Sequence, residues 1–177
     1  MAALRGFALL LPVMLAAAPA SNAERVKSEI EKRYADLRAI YLENRGPDKV
    51  IAMRTADYTA HLPSGEVWDR EKAAEYTRAA FQQVIKTIDV TFTIEGIELR
   101  GNKAAVRILQ HWMRLQYKIG ALRTVETDAR QRETWTRTKG GWMLSKIDEI
   151  QPGEWRVDGK RVDPSKPYSP SAPEYKP

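Results

Sequence analysis

The strongest constraint on the fold is a stretch near the C-terminal third of the chain that reads as a β-hairpin. Residues 130–148 form two arms rich in β-branched and apolar side chains, with Trp135 in the first arm and Trp142 in the second. The arms meet at residues 139–141, Lys-Gly-Gly, where glycine supplies the positive φ angles that a tight turn requires. The pattern therefore predicts two antiparallel strands that complete a sheet.

Upstream of the hairpin the spacing of apolar residues changes from a helical period to a period of two. Val26, Ile30 and Tyr34 recur at helical spacing, which places them on one stripe. Apolar residues from Ile88 to Ile94 alternate with polar ones, as is typical of a half-buried strand. The predicted elements are helices over residues 24–44 and 48–54, a strand over 57–62, a third helix from its N-cap Asp69 to about Ile88, and strands over 88–95 and 104–117.

This order predicts an α+β domain in which three N-terminal helices pack on one face of a curved antiparallel sheet. With 177 residues, of which 43% are hydrophobic, the chain is long enough for one well-buried core and too short for two. We expect that domain to span residues 24–150. Residues 151–177 contain an Asp-Gly turn and then a Pro-rich segment, and are expected to form an extension without a core of its own.

The first 23 residues have the pattern of a secretory signal peptide. Arg5 gives a basic start, an apolar run covers residues 6–18, and small residues allow cleavage after Ala20 or after Ala23. We expect cleavage after Ala23, although this would remove half of a possible capping box at residues 21–24. The apolar run is too short to span a bilayer stably, so we expect a periplasmic or secreted protein with no membrane span after cleavage.

Composition narrows the possible functions. The net charge is +6, but Lys and Arg alternate with Asp and Glu, which favours a solvated surface over a nucleic-acid interface. The chain has no cysteine, which excludes disulfides, thiolate metal sites and a thiol nucleophile. Neither of the two histidines, His61 and His111, falls in a metal-ligand pattern, and no dinucleotide or phosphate-binding motif is present. We therefore expect no metal and no cofactor.

The order of helices and strands resembles the nuclear transport factor 2-like superfamily, the cone-shaped fold that ketosteroid isomerases and SnoaL-type polyketide cyclases also use. Within it, the hairpin resembles small proteins of unknown function whose last strands read Arg-(Asp/Glu)-Thr-Trp and Gly-Trp-x-Leu, here at residues 132–135 and 141–144. The resemblance covers roughly residues 24–150. It implies a cystatin-like sheet bent around the first and third helices, a ligand site at the open end of the cone, and a possible homodimer through the outer sheet face.

Acid–base chemistry in such a cone needs a carboxylate or a histidine close to the ligand, and hydrogen-bond donors beside it. The candidate catalytic residues are Asp57, His111 and Asp148. The candidate ligand-binding residues are Tyr34, Tyr58, His61, Trp68, Trp112, Tyr117, Arg130, Arg132 and Trp135. A structural role is the favoured alternative for most of them, such as a turn cap for Asp57, a solvated strand position for Asp148 and core packing for the tryptophans.

The predicted strand over residues 124–136 is unusually polar on both faces. One face carries Glu126, Asp128, Arg130, Arg132 and Thr134, and the other carries Val125, Thr127, Ala129, Gln131, Glu133 and Trp135. If the first face lines the cone, Arg130 and Arg132 could bind an anionic ligand such as a carboxylate. If that face is exposed, which is the alternative we favour, the same residues form cross-strand charge pairs on the surface.

The sequence supports three functional hypotheses. The one we favour is an exported domain that binds a small, largely apolar or carboxylate-bearing molecule in the cone. The second is a cofactor-independent isomerase, cyclase or dehydratase-like enzyme, and the third is a protein-interaction module. A carboxylate with a strongly raised pKa deep in the cone would favour the enzyme, and a cone lined only by Trp, Leu and Ile would favour binding.

Overall fold

The computed structural model describes residues 21–176, so the first twenty residues of the predicted signal peptide lie outside the described residues. The helices and strands are α1 (Asn22–Glu43), α2 (Pro47–Ala52), β1 (Arg54–His61), β2 (Val67–Asp69), α3 (Arg70–Gln83), β3 (Val84–Arg100), β4 (Lys103–Lys118), β5 (Ala121–Thr138), β6 (Gly141–Val157) and β7 (Lys160–Arg161). In this part of the chain no helix has the length and apolar character needed to cross a membrane.

Helix α1 begins at a complete capping box. The Ser21 hydroxyl oxygen accepts a hydrogen bond from the backbone N–H of Glu24 at 3.2 Å, and the Glu24 carboxylate accepts one from the backbone N–H of Ser21 at 2.7 Å. The helix ends at Asn44, whose φ of 49° lies in the left-handed region. Its buried residues are Val26, Ile30, Tyr34 and Leu37.

The seven strands form one curved sheet with the order β2-β1-β6-β5-β4-β3, and β7 pairs with β6. The α+β class is therefore confirmed, but the expectation of a purely antiparallel sheet is wrong. Strand β1 lies parallel to β6, with Ala60 opposite Ile147. No tight turn joins these two strands, and the long intervening chain leaves β1 free to enter the sheet in either direction.

The end of α3 also differs from the expectation. The helix stops at Gln83 instead of continuing to about Ile88, and the chain is extended from Val84 onward. A β-bulge between Thr87 and Asp89 changes the alternation there, so that Thr87 is buried and Ile88 is 41% exposed. Further bulges in β3 and along the β5–β6 pair bend the sheet.

The core lies between α1 and one face of the sheet, which we call the inner face. The largest fully buried side chain is Trp135 on β5, and Ile30 on α1 and Ile108 on β4 are buried in the same cluster. On β5 this is the face that carries Gln131 and Glu133, both of which are buried. The charged alternate residues of β5 therefore lie on the opposite, outer face.

The chain beyond residue 150 continues the sheet before it becomes irregular. Strand β6 runs on to Val157, and Asp158 and Gly159, both with positive φ, make the predicted Asp-Gly turn into β7. The Pro-rich segment then folds back, since the backbone N–H of Tyr175 donates to the carbonyl oxygen of Arg161 at 3.0 Å.

Candidate functional site: a cavity in the cone

A cavity of about 290 Å³ lies between the inner face of the sheet, α1 and α3. We call it the cone cavity. Its wall is largely apolar, and its aromatic members include Tyr41, Tyr58, Trp68, Phe81, Trp112 and Trp135. A concave, mostly apolar site with a few polar groups is the usual form of a small-molecule pocket.

The aromatic side chains of the wall are fixed against one another. The ring of Tyr41 stacks on Phe81 at 5.3 Å between centroids and meets Trp112 edge-on at 4.4 Å. At the rim, Trp68 lies 5.0 Å from Tyr76, which lines the cavity although 61% of its surface is exposed. The cavity is thus held open by side chains that pack on their neighbours.

The carboxyl group of Glu133 lines the cavity and is only 3% exposed. Its Oε2 accepts hydrogen bonds from the Tyr34 hydroxyl at 2.7 Å and from Trp135 Nε1 at 3.0 Å. Its Oε1 accepts one from Gln131 Nε2 at 2.7 Å. The network joins α1 to β5 and holds the carboxyl group in one orientation.

Burial raises the pKa of Glu133, and the hydrogen bonds from Tyr34, Gln131 and Trp135 oppose this without cancelling it. Burial together with the neighbouring Glu133 carboxyl also raises the pKa of Tyr34. Burial raises the pKa of both Tyr41 and Tyr58 to about 12. Near neutral pH these phenols therefore keep their protons and can act as hydrogen-bond donors.

Two arginines also line the cavity. Arg54 donates from Nη2 to the Thr77 hydroxyl at 2.9 Å, and its guanidinium lies 4.9 Å above the ring of Tyr58. Arg114 donates from Nη2 to the Thr127 hydroxyl at 3.0 Å, and burial lowers its pKa. The Nη1 atom of Arg54 and the Nε atom of Arg114 are buried without a hydrogen-bond partner among residues 21–176.

The structure brings five of the predicted ligand-binding residues together. Tyr58, Trp68, Trp112 and Trp135 line the cone cavity, and Tyr34 lies behind its wall, where it contacts Glu133. Their roles in binding stay predictions.

The other predicted site residues lie away from the cavity. His111 Nδ1 is 2.7 Å from Asp128 Oδ1 on the outer face of the sheet. Asp57 and His61 are exposed on β1, and Tyr117 is 68% exposed near the β4–β5 turn. The remaining three form ion pairs: Arg130 with Glu95 at 3.0 Å, Arg132 with Glu149 at 3.0 Å and Asp148 with Lys146 at 2.6 Å.

Sequence reasoning did not single out the polar groups that the cavity contains. Glu133 alternates with Trp135 on β5, and Arg114 alternates with Trp112 on β4, so period-two reasoning from the tryptophans could have placed both on the inner face. Arg54 falls in the predicted helix over residues 48–54, but in the structure it is the first residue of β1, with only Met53 between it and the end of α2.

The sequence matches no protein-family profile and no curated protein, but the structure matches solved structures. A candidate scytalone dehydratase from Novosphingobium aromaticivorans matches with a TM-score of 0.65 and 13% identity, over 76% of this chain and 89% of that one. A candidate dehydratase of the nuclear transport factor 2-like family from Streptomyces avermitilis matches with a TM-score of 0.59 and 11% identity, over 75% of this chain and 99% of that one.

A nuclear transport factor 2-like superfamily protein from Salmonella enterica serovar Typhimurium matches with a TM-score of 0.56 and 16% identity, over 73% of this chain and 92% of that one. At such low identity these likenesses concern the fold and carry no activity from one protein to another. They agree with the fold expected from the order of helices and strands. The chain has the nuclear transport factor 2-like fold.

Proposed function

We propose that this domain binds a small, largely apolar molecule in the cone cavity. The observation that carries the proposal is the cavity itself, about 290 Å³ of open space with aromatic walls beside the hydrophobic core. Ligand pockets commonly begin at about 300 Å³, so a one-ring or two-ring molecule matches the space. In this proposal the domain is exported, on the grounds of its N-terminal sequence.

The polar groups in the cavity wall favour the binding of one particular molecule over nonspecific binding of apolar molecules. Gln110, Glu133 and Arg114 come from neighbouring strands and reach the same space. A few convergent polar groups in an apolar pocket fix the orientation of a ligand, while the aromatic rings supply most of the buried contact area.

The proposal is tested with a neutral aromatic probe, 2-naphthamide, by isothermal titration calorimetry. Ala80 lines the cavity, whereas its neighbour Ala79 on α3 is exposed, so the two positions offer a matched pair. We expect the wild type and Ala79→Trp to bind the probe, and Ala80→Trp to lose binding because its indole occupies the cavity. Equal binding by both variants, or none by the wild type, would overturn the proposal.

A second function is favoured by one specific observation, the buried carboxyl of Glu133 with its raised pKa in the cavity wall. A carboxyl group in such a setting is suited to general acid–base catalysis without a cofactor. In its ionised form Glu133 would take a proton from a carbon next to a carbonyl group, and the electrons of the broken C–H bond would move to the carbonyl oxygen as an enolate. Returning the proton to carbon would complete an isomerisation or exchange.

This second function is tested with 2-tetralone in deuterated buffer. NMR would follow the replacement of hydrogen by deuterium next to the carbonyl group, with buffer alone as the blank. We expect the wild type to accelerate the exchange and Glu133→Gln to lose the acceleration while it still binds 2-naphthamide. Equal exchange rates for the wild type and the variant would exclude Glu133 as the base.

A further inference from the structure

The cone cavity contains two cationic side chains that the described chain does not neutralise. Neither Arg54 nor Arg114 forms an ion pair within residues 21–176, in contrast to Arg130 and Arg132 on the outer face. Each guanidinium donates to one threonine hydroxyl and lies over an aromatic ring, and one buried nitrogen of each has no acceptor among residues 21–176. The two groups are therefore fixed in position and incompletely bonded.

Both guanidiniums belong to the wall of the same cavity. The Arg114 guanidinium lies over the ring of Trp112, which meets the ring of Tyr41 edge-on at 4.4 Å. Tyr41 itself lines the cavity between α1 and the sheet. A negative charge inside the cavity is therefore attracted by two cations of its wall.

The cavity wall carries more positive charge than negative charge. Of the carboxyl groups in the described part of the chain, only Glu133 lines the cavity, and its oxygens already accept hydrogen bonds from Tyr34, Gln131 and Trp135. Burial also favours its neutral form. A buried cation without a counter-ion is unfavourable, so the site is suited to a ligand that brings negative charge.

We propose that the ligand of the cone cavity is an aromatic or alicyclic carboxylate whose charged group binds to Arg54 and Arg114. This inference rests on the proposed function, because it names the chemical class of the molecule that the cavity binds. Both arginines line the cavity, and a guanidinium binds the oxygens of a carboxylate through charge-assisted hydrogen bonds. The apolar body of the ligand then packs on Trp112 and Tyr58, whose rings already lie beneath the two guanidiniums.

The test compares 2-naphthoate with 2-naphthamide, which has the same size and shape but no charge. We expect the wild type to bind 2-naphthoate more tightly by about tenfold or more, because hydrogen bonds to a charged group are the stronger ones. Arg54→Met and Arg114→Met should each reduce this preference, which is the ratio of the two affinities measured on the same variant. Arg132→Met, which removes an outer-face arginine, should leave both affinities unchanged.

The two proposals fail in different ways. If the wild type binds 2-naphthamide as tightly as 2-naphthoate, the carboxylate inference is overturned and the binding function stands. If it does not bind 2-naphthamide, the binding function itself fails. If 2-naphthyl phosphate binds more tightly than 2-naphthoate, the anion class proposed here is wrong. These comparisons use the unmodified chain, so they hold even where an arginine variant does not fold.

Discussion

The hydroxyl group of Tyr34 on α1 donates a hydrogen bond of 2.7 Å to Oε2 of Glu133 on β5, across 99 positions of sequence. This contact ties the N-terminal helix to the centre of the sheet and lies directly behind the wall of the cone cavity. Trp135 donates to both partners, to Glu133 at 3.0 Å and to the Tyr34 oxygen at 3.2 Å. Fold stability and the orientation of the cavity carboxyl therefore depend on the same three side chains.

Removing the Tyr34 hydroxyl should destabilise the protein. In Tyr34→Phe the Oε2 atom of Glu133 keeps only the donor on Trp135, so we expect the free energy of unfolding to fall by about 1–3 kcal/mol. Urea denaturation followed by tryptophan fluorescence measures the change. Tyr76→Phe is the control, because that side chain is exposed and its variant should unfold at the wild-type midpoint. Equal midpoints for Tyr34→Phe and the control would show that the network contributes no stability.

The raised pKa of Glu133 predicts a pH dependence of stability. Because the folded-state pKa lies above the unfolded value, the contribution of Glu133 is fully present below the unfolded pKa and is lost as the pH rises through the folded pKa. Glu133→Gln has no such titration. The stability of the wild type relative to this variant should therefore decrease as the pH rises above about 4.5.

Urea denaturation of both proteins at a series of pH values measures that difference. Carboxylates whose pKa is lowered, such as those of Asp158 and Asp163, act in the opposite sense, but they are common to both proteins and cancel in the comparison. A difference that stays constant with pH, or increases, would contradict the assignment of a raised pKa to Glu133.

The contact between His111 and Asp128 on the outer face should not affect ligand binding. His111 and Asp128 are each about one third exposed, and half-exposed ion pairs contribute roughly 0–1 kcal/mol. His111→Ala should therefore unfold within about 1 kcal/mol of the wild type and bind 2-naphthamide with unchanged affinity. Calorimetry and urea denaturation of the same preparation check both points. A loss of affinity on this substitution would move the ligand site from the cavity to the outer face.

The capping box of α1 predicts that thermal stability depends on the residue at which the chain begins after the predicted cleavage. A chain that begins at Ser21 keeps both hydrogen bonds of the box, whereas a chain that begins at Glu24 loses them. The longer chain should have the higher thermal unfolding midpoint, and Ser21→Ala in that chain should remove part of the gain. Identical midpoints for all three chains would mean that the cap does not stabilise the helix. Export stays a proposal, and the intact mass of the protein isolated from its own host would identify which chain the cell produces.

Local sequence patterns were sufficient for much of the fold. The glycines at residues 140–141 and the alternation around Trp135 predicted the β5–β6 hairpin, and helical spacing predicted the buried stripe of α1. The parallel pairing of β1 with β6 was missed because it depends on contacts between segments far apart in sequence. The bulge near Thr87 was missed for a similar reason, since it depends on how β3 pairs with β4.

The sequence analysis selected aromatic residues of the candidate site but did not select its charged residues. Trp68 and Trp112 were selected as large aromatic residues, and both line the cavity. The favoured alternative, with Arg130 and Arg132 exposed, already places Glu133 on the inner face, but neither Glu133 nor Arg114 was selected as a site residue, because a charged strand residue is usually exposed. Which face of a strand becomes the inner face depends on where the helices pack, and the residues of a single strand do not contain that information.

The most direct test of a ligand-binding cone is a titration of the protein with 2-naphthamide followed by the indole N–H signals in a proton–nitrogen NMR spectrum. The chain has five tryptophans, of which Trp68, Trp112 and Trp135 line the cavity. Trp142 lies outside it and donates to Glu29 at 2.7 Å, so its signal is an internal control. We predict that the three cavity signals shift with a common dissociation constant while the Trp142 signal stays in place. Absence of any shift, or an equal shift of all the signals, would contradict the account.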